Sequence, residues 1–334
     1  MSVLVTGGAG YIGAHVVRAL RDRGKEVVVV DDMSSGVAER IFGVPLLEVD
    51  LASADAVGRM TELMRDADVD SVVHLAARKQ VPESVARPAW YYAQNIGGFA
   101  HLLMAMEAAD VRDIVFSSSA AVYGDVEEDT VRETDPVVPV NPYGATKLAG
   151  EELVNDAAAA GGLRAVSLRY FNVAGAGDKD LGDIFALNLI PMIFEKMVAN
   201  EPPMIFGDDY PTPDGTCVRD FIHVADLARA HVDVLDRISQ AEYGSRDVFN
   251  VGSGRGYSVR EVMDSIGRTT GHELSPVVLP RRAGDPPKVV ADTSKFSQAL
   301  GWQAERGLDE MTASAWGAYC IEQQIMLRTE ESGD

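Results

Sequence analysis

Val3-Leu4-Val5-Thr6-Gly7-Gly8-Ala9-Gly10-Tyr11-Ile12-Gly13 opens with a short apolar strand that runs into a glycine-rich turn. Read from Gly8 the turn is Gly-x-Gly-x-x-Gly, and read from Gly7 it is also Gly-x-x-Gly-x-x-Gly. Small residues are needed there if a tight turn is to bring main-chain amides at a helix N-terminus up to a pyrophosphate. The context fits that use. An apolar helical pattern follows through Val16, Val17 and Leu20, Gly24 ends it, and a second strand, Val27–Val30, finishes at Asp31. Asp31 lies 18 residues beyond Gly13, where a carboxylate can accept from the adenosine ribose hydroxyls. Asp32 adds negative charge where a 2′-phosphate would sit, so the predicted cofactor is NAD rather than NADP.

Strand and helix patterns then alternate, which predicts an α/β fold built on a Rossmann-type doubly wound parallel sheet. Leu46–Val49 leads to Asp50-Leu51, an expected adenine contact, and Ser71–Leu75 ends in Ala76-Ala77, small enough to admit a cofactor. Asn95 is expected to open a helix through Ala109. Ile114–Phe116 precedes Ser117-Ser118-Ser119, and Arg164–Leu168 precedes Arg169-Tyr170-Phe171-Asn172. Ligands in such sheets sit at the carboxyl ends of strands. Residues 1–174 are the expected dinucleotide unit, with 222–250 returning to it; residues 175–330 form a smaller C-terminal α/β substrate unit, and the cleft lies between.

Val140-Asn141-Pro142-Tyr143-Gly144-Ala145-Thr146-Lys147 sets a phenol and an ammonium one helical turn apart. Asn141 and Pro142 are helix-entry residues, so Tyr143 and Lys147 should share a face. An ammonium beside a phenol, with a pyridinium nearby, favours the phenolate and brings it towards the working range of a general base.

At 334 residues with 46% hydrophobic content the chain can bury a full core. No apolar run approaches the length of a membrane span, and the first ten residues lack a basic leader pattern, so a cytoplasmic location is expected. A net charge of −21 argues against nucleic acid or an anionic membrane as partner. Two cysteines give no disulfide framework, and six scattered histidines give no metal spacing, so no metal is expected. Only seven lysines are present, which singles out Lys79 and Lys147. The tail Glu330–Asp334 is expected to fray.

The glycine turn, Ser117-Ser118-Ser119-Ala120-Ala121-Val122-Tyr123-Gly124, Tyr143-Gly144-Ala145-Thr146-Lys147 and Leu168-Arg169-Tyr170-Phe171-Asn172 together resemble the extended short-chain dehydrogenase/reductase superfamily. Phe206–Thr216, Val218-Arg219-Asp220-Phe221-Ile222-His223-Val224 and Pro280-Arg281-Arg282-Ala283-Gly284-Asp285 are similar to its UDP-sugar 4-epimerase branch. The resemblance covers nearly the whole chain. It implies an isomerase that interconverts UDP-galactose and UDP-glucose through a 4-keto intermediate with tightly bound NAD. It also implies a homodimer, in which the helices near Asn95–Ala109 and Tyr143–Ala160 pair across a four-helix bundle.

By this resemblance Tyr143 is the general base, Lys147 binds the nicotinamide ribose and lowers the Tyr143 pKa, and Ser119 relays the sugar 4-hydroxyl proton. Cofactor contacts are implied for Gly7, Gly10, Tyr11, Ile12, Gly13, Asp31, Asp50, Leu51, Leu75, Ala76, Ala77, Lys79, Asn95, Ser117 and Tyr170. For the UDP-hexose they are implied at Lys79, Asn172, Asn188, Leu189, Phe206, Arg219, Phe221, Arg282, Asp285 and Val289, the arginines suiting a diphosphate by their fork geometry. His223 reads as structural. Four departures stand out. Ala121 replaces a frequent Thr, Phe221 a frequent Tyr, the Gly175–Asp183 loop is short, and Val289 replaces a bulky Tyr at the sugar 2-substituent pocket. The last implies that UDP-N-acetylhexosamines are also accepted. A uronate or pentose 4-epimerase is the nearest alternative; a 4,6-dehydratase would need an Asp-Glu pair where Ala120 and Ala121 stand, and a non-catalytic NAD sensor would typically lack the Tyr or the Lys.

Overall fold

Val3, Leu4 and Val5 have no exposed surface, and the strand that holds them, β1 (Ser2–Thr6), lies inside the large sheet with neighbours on both edges. The computed structural model describes residues 1–126, 130–185, 187–282 and 285–331, with side chains to residue 323 in the last helix. Ala283 and Gly284 of the Pro280–Asp285 stretch, and the final three residues of the tail, lie outside the described residues.

The first part of the chain alternates as expected: α1 (Tyr11–Asp22), β2 (Glu26–Asp31), β3 (Leu46–Glu48), α2 (Ala56–Asp66) and β4 (Val69–His74). Then come α3 (Val81–Ala86), α4 (Pro88–Tyr92), α5 (Gly98–Ala109), β5 (Asp113–Ser117), α6 (Pro142–Gly161) and β6 (Arg164–Tyr170). Helix α6 starts where Pro142 and the Asn141 side chain permit: the Asn141 carbonyl oxygen accepts from Gly144 N at 2.9 Å. Asn95 does not open its helix. It sits in a π-helical segment, Ala93–Gly97, that joins α4 to α5 without a break. A π turn is set by side-chain demands within the segment, and no residue pattern marked it.

Beyond β7 (Asn172–Ala174), the chain forms α7 (Leu189–Val198), β8 (Met204–Phe206) and β9 (Val218–His223), then α8 (Val224–Ile238) and β10 (Arg246–Val251). It finishes with β11 (Gly256–Ser258), α9 (Val259–Thr270), β12 (Val277–Leu279), β13 (Lys288–Val289), α10 (Ser294–Leu300) and α11 (Leu308–Glu331). The large sheet has seven parallel strands in the order β10-β6-β5-β4-β1-β2-β3. A smaller four-stranded sheet is built on β9, with β11 antiparallel on one edge; on the other β13 pairs with its start and β7 with its end. Ile222 and His223 belong to β9, so the stretch that rejoins the large sheet begins at Val224.

Each face of the large sheet has its own core. On one, Val16, Val17 and Leu20 of α1 meet Leu227, Val234 and Leu235 of α8; on the other, Met60, Met64, Leu102, Met106 and Val154 pack from α2, α5 and α6. The connection from β1 runs to β2 on one side, while β4 lies on the other. The carboxyl ends of β1 and β4 therefore face a crevice at the point where the winding reverses, the place such sheets hold ligands.

Candidate active site

The crevice is a cavity of about 410 Å³ over the glycine turn. Gly7 has φ +69°, and a methyl on it would lie 2.8 Å from Ala76 N; a methyl on Gly13 would lie 2.0 Å from the Gly7 carbonyl. These two glycines let the turn close. Gly10 differs: a Cβ there would meet only the Gly7 carbonyl, at 3.3 Å, and Gly10 lines the cavity. The methyl-sized space is left to a ligand, beside the amides at the start of α1, which lack intrahelical acceptors. A dinucleotide pyrophosphate fits that cradle.

Of the sequence-predicted cofactor residues, Gly7, Gly10, Tyr11, Ile12, Gly13, Asp31, Asp50, Leu51, Leu75, Ala76, Ala77, Lys79, Asn95, Tyr143, Lys147 and Tyr170 all line this cavity. Asp31 is buried and accepts from Ala9 N at 3.0 Å and Met33 N at 2.9 Å; burial pushes its carboxyl up, these bonds opposing. Asp32 is not the free charge the sequence suggests, because Arg78 pairs with it at 2.5 Å. Asn95 has no amide to spare: it accepts from Arg78 N at 2.8 Å and donates to Arg78 O and Thr146 Oγ1, each at 3.0 Å. It positions the loop after β4 against α6. Lys79 is exposed, with no ion pair among the described residues.

Tyr143, Lys147 and Glu151 follow one another on one face of α6. Lys147 is buried and donates to the Ser117 carbonyl at 2.7 Å; burial lowers its ammonium to about 8, the Glu151 carboxylate opposing. Tyr143 is half-buried, with the Ser119 hydroxyl placed to favour its phenolate. Burial pushes the Tyr143 phenol above its ordinary value, the Ser119 hydroxyl opposing; the lowering expected from the sequence calls for a pyridinium as well as Lys147. Ser117 does not border the cavity. Its Oγ bonds Tyr170 Oη and its carbonyl holds Lys147, so it acts through both. Behind this row Glu151 pairs with Arg169 at 2.6 Å and accepts from Ser118 Oγ, while Arg169 also reaches Tyr123 Oη at 3.1 Å.

A second cavity, about 310 Å³, is lined by Asn172, Asn188, Leu189, Phe206, Arg219, Phe221, Arg282 and Asp285. Arg219 and Asp285, expected as separate contacts, pair with one another at 2.5 Å. Arg282 is exposed, its guanidinium 3.8 Å from the Phe206 ring centre, and no carboxylate among the described residues pairs with it. Asn172 Nδ2 donates to the Asp220 carbonyl at 3.2 Å. Val289 and Ser119 line neither cavity. Val289 stands opposite Arg219 in the small sheet and packs on the Val122–Tyr123 cluster. His223 caps α8, its Nδ1 accepting from Ala225 N at 3.1 Å, a structural role.

Tyr11, Asp183 and Leu187 line both cavities. Asp183 was not singled out in the sequence; its Oδ2 accepts from Asn188 Nδ2 at 2.6 Å, and its Oδ1 is buried without a partner among the described residues. Arg78, Gln94, Cys217 and Tyr319 are further lining residues that sequence reasoning missed. Arg78 carried one signal, a basic residue beside Lys79 at the end of β4 in a strongly acidic chain. Among the described residues no helix is long and apolar enough to cross a membrane, and no group of acidic, His and Cys side chains could hold a metal.

Comparison with known proteins places the site in context. Residues 3–252 match the model of the NAD dependent epimerase/dehydratase family. The UDP-glucose 4-epimerase of Azospirillum brasilense is 47% identical over 319 residues, 94% of this chain and 90% of that protein. That of Streptomyces lividans is 43% identical over 318 residues, 94% of each. The crystal structure of a UDP-glucose 4-epimerase from Stenotrophomonas maltophila, with bound NAD and formylated UDP-arabinopyranose, superposes with a TM-score of 0.90 at 39% identity, covering 97% of this chain and 99% of that one. That of the Brucella ovis enzyme in complex with NAD gives 0.89 at 41% identity, covering 94% and 97%.

Proposed function

The chain belongs to the NAD dependent epimerase/dehydratase family, and we propose that it is a UDP-glucose 4-epimerase interconverting UDP-galactose and UDP-glucose with NAD. One observation carries this reading. Tyr143 lines the cavity over the glycine turn, four residues before the buried Lys147, and a second cavity with Arg219, Arg282 and two asparagines meets the first at Tyr11, Asp183 and Leu187.

In this reading residues 1–174 with the stretch from Val224 to 250 hold the cofactor, and the rest of 175–330 holds the UDP-hexose, with Asp183 and Leu187 bordering both. Tyr143 takes the sugar 4-hydroxyl proton, directly or through Ser119, and later returns it. NAD, when bound, supplies the hydride acceptor and, in its cationic form, the positive charge that offsets burial of the Tyr143 phenol. Lys147, anchored on Ser117, keeps a second positive charge beside the same face. Arg219 and Arg282 suit the diphosphate, and Phe206 and Phe221 offer flat apolar surface to the nucleoside. Anchoring at the UDP end leaves the hexose few contacts, so the 4-keto sugar can turn and be reduced on its other face.

Three finer points belong to the proposal. UDP-N-acetylglucosamine and UDP-N-acetylgalactosamine are substrates too, a reading supported by the resemblance, which sets Val289 where a bulky Tyr would restrict the sugar 2-substituent, and not by the cavity linings, which do not include Val289. The protein is cytoplasmic. It is a homodimer: Val85, Tyr92 and Met104 are exposed along α3 to α5, an apolar face suited to a second copy. Light scattering from a monomer at micromolar concentration would refute the last point.

The test of the function is conversion of UDP-galactose to UDP-glucose by purified protein with no NAD added, beside Tyr143→Phe. Activity in the first and none in the second is expected. Failure of the wild-type protein even with NAD supplied overturns the hexose assignment.

A further inference from the structure

Arg78 makes the most connected contacts at the rim of the cofactor cavity. Its guanidinium pairs with Asp32 Oδ2 at 2.5 Å, donates to Ser34 Oγ, and reaches Gln94 Oε1 from Nε at 3.2 Å and from Nη2 at 3.1 Å. Its main chain is held at both N and O by the Asn95 amide. Asp32 in turn accepts from Ser34 N at 3.0 Å and from Ser34 Oγ at 2.6 Å. Arg78, Asp32, Ser34 and Gln94 all line the cavity.

The sheet order explains what this cluster does. Strands β4 and β2 flank β1, so a bridge from the loop after β4 to the loop after β2 passes over the carboxyl end of β1 and its glycine turn. It lies beside Asp31, the acceptor suited to the adenosine ribose. An arginine at that point is the residue type that receives a 2′-phosphate, and its fork is the right shape for one. Here Nη2 of the fork is already held by the Asp32 carboxylate, with Nη1 on Ser34 and Nε on Gln94.

We propose that the Arg78–Asp32 pair sets which dinucleotide the chain takes: Asp32 occupies an arginine that would otherwise bind a 2′-phosphate. The proposal rests on the reading of this cavity as a dinucleotide site and adds the residue that decides between NAD and NADP. Repulsion by Asp32 alone is too simple an account, because its charge is neutralised by the arginine. With Asp32 removed, Arg78 loses its carboxylate while its neutral partners Gln94 and Ser34 keep it at the rim, Ser34 N and Oγ lose their acceptor, and Asp31 stays in place. A variant lacking Asp32 therefore gains phosphate affinity only if Arg78 is present.

Wild-type protein, Asp32→Ala, Asp32→Asn, Arg78→Met and the Asp32→Ala/Arg78→Met double variant are equilibrated with equimolar NAD and NADP until the bound ratio is constant. Free nucleotide is removed by gel filtration, and the bound fraction is released in acid and quantified by chromatography. The wild type should hold NAD almost exclusively. Asp32→Ala should raise the bound NADP:NAD ratio roughly tenfold or more, the worth of one hydrogen bond to a charged group, and the double variant should lose that gain. Asp32→Asn keeps the shape and drops the charge, so the test stands if the alanine variant folds poorly. An unchanged ratio in both Asp32 variants, or a gain that survives loss of Arg78, overturns the proposal. Wild-type protein that releases no dinucleotide overturns instead the reading of the cavity.

Discussion

Lys147 Nζ donates to the main-chain carbonyl of Ser117 at 2.7 Å, which ties α6 to the end of β5 one turn below Tyr143. The ammonium is thus fixed in place and dry, with its proton released at about 8. As pH rises through that value the positive charge beside Tyr143 is lost. A kcat profile should therefore fall above about pH 8, and Lys147→Met should show a low kcat with no such limb. Tyr143→Phe should cost roughly 10²–10⁴-fold in kcat, the usual worth of a general base, while bound NAD stays unchanged. A full-rate Lys147→Met variant would remove the ammonium from the mechanism.

Glu151 and Arg169 form an ion pair with only 6% of each side chain exposed. Removing one partner strands the other charge in the core, at a cost of about 3–5 kcal/mol. Glu151→Ala should lower the urea midpoint accordingly, with the Ser118 hydroxyl losing its acceptor as well. Loss of the carboxylate that favours the Lys147 charge should also move the alkaline limb to lower pH.

Gly13 and Gly10 are both in the glycine turn but should fail in different ways. A methyl on Gly13 collides with main chain at 2.0 and 2.7 Å, which no side-chain shift can relieve, so Gly13→Ala should lose the fold of the turn and drop the melting temperature. A methyl on Gly10 meets one oxygen at 3.3 Å and otherwise projects where a ligand would lie. Gly10→Ala should melt near the wild-type temperature and hold far less NAD, as measured by acid release.

Acid should destabilise the protein before its carboxylates titrate. Burial lowers His15, His223 and His231 from an ordinary 6.5 to about 4, and His74 to about 3. Unfolded, all four bind protons below about 6.5; folded, they do not, so stability is complete above that pH and is lost as pH falls towards 4. Each contributes roughly 1.4 kcal/mol per pH unit in that window. Asp220, raised by burial to about 6, acts in the opposite sense, as do Asp31 and Glu322, also raised by burial; the four histidines outnumber them. Melting temperatures should fall steadily from pH 7 to pH 5. His15 is the sensitive point, since its Nε2 accepts from Gly177 N at 2.9 Å and protonation removes that bond.

Val289→Tyr tests the resemblance that sets this position at the sugar 2-substituent: activity on UDP-N-acetylglucosamine should fall while UDP-glucose is spared, the longer phenol reaching where the valine, opposite Arg219 and outside both cavities, does not. Equal rates and affinities on both sugars before and after the change would sink the N-acetylhexosamine proposal.

What could be read without coordinates was whatever depends on local spacing. Gly13 and Asp31 announce a turn and a strand end, and Tyr143 and Lys147 announce a helix face, because each relation spans few residues and one element. Arg78 was illegible because its partner Asp32 is 46 residues away and meets it only once β1 is inserted between their strands. Asp183 was missed for the same reason: no pattern says that a short loop will serve two cavities. For the Tyr143 phenol, spacing reports the neighbouring charge but not the depth of burial, which pushes it up and which a bound cofactor's charge has to offset. Arg219 and Asp285 were both found, yet their pairing follows from the register of β13 on β9, which neither segment encodes alone.

Strand β10 sits at the edge of the large sheet beside β6, although the whole of β7, β8 and β9 is made between them. During synthesis, the edge of β6 therefore waits bare while about eighty further residues leave the ribosome. Unpaired strand edges invite pairing with other chains. A nascent chain halted near residue 174 would carry the glycine turn, the serines and the Tyr143–Lys147 helix but no partner for β6 and no α8 to cover α1. Most of the cofactor cavity's lining is thus made before the strand and helix that complete the sheet behind it.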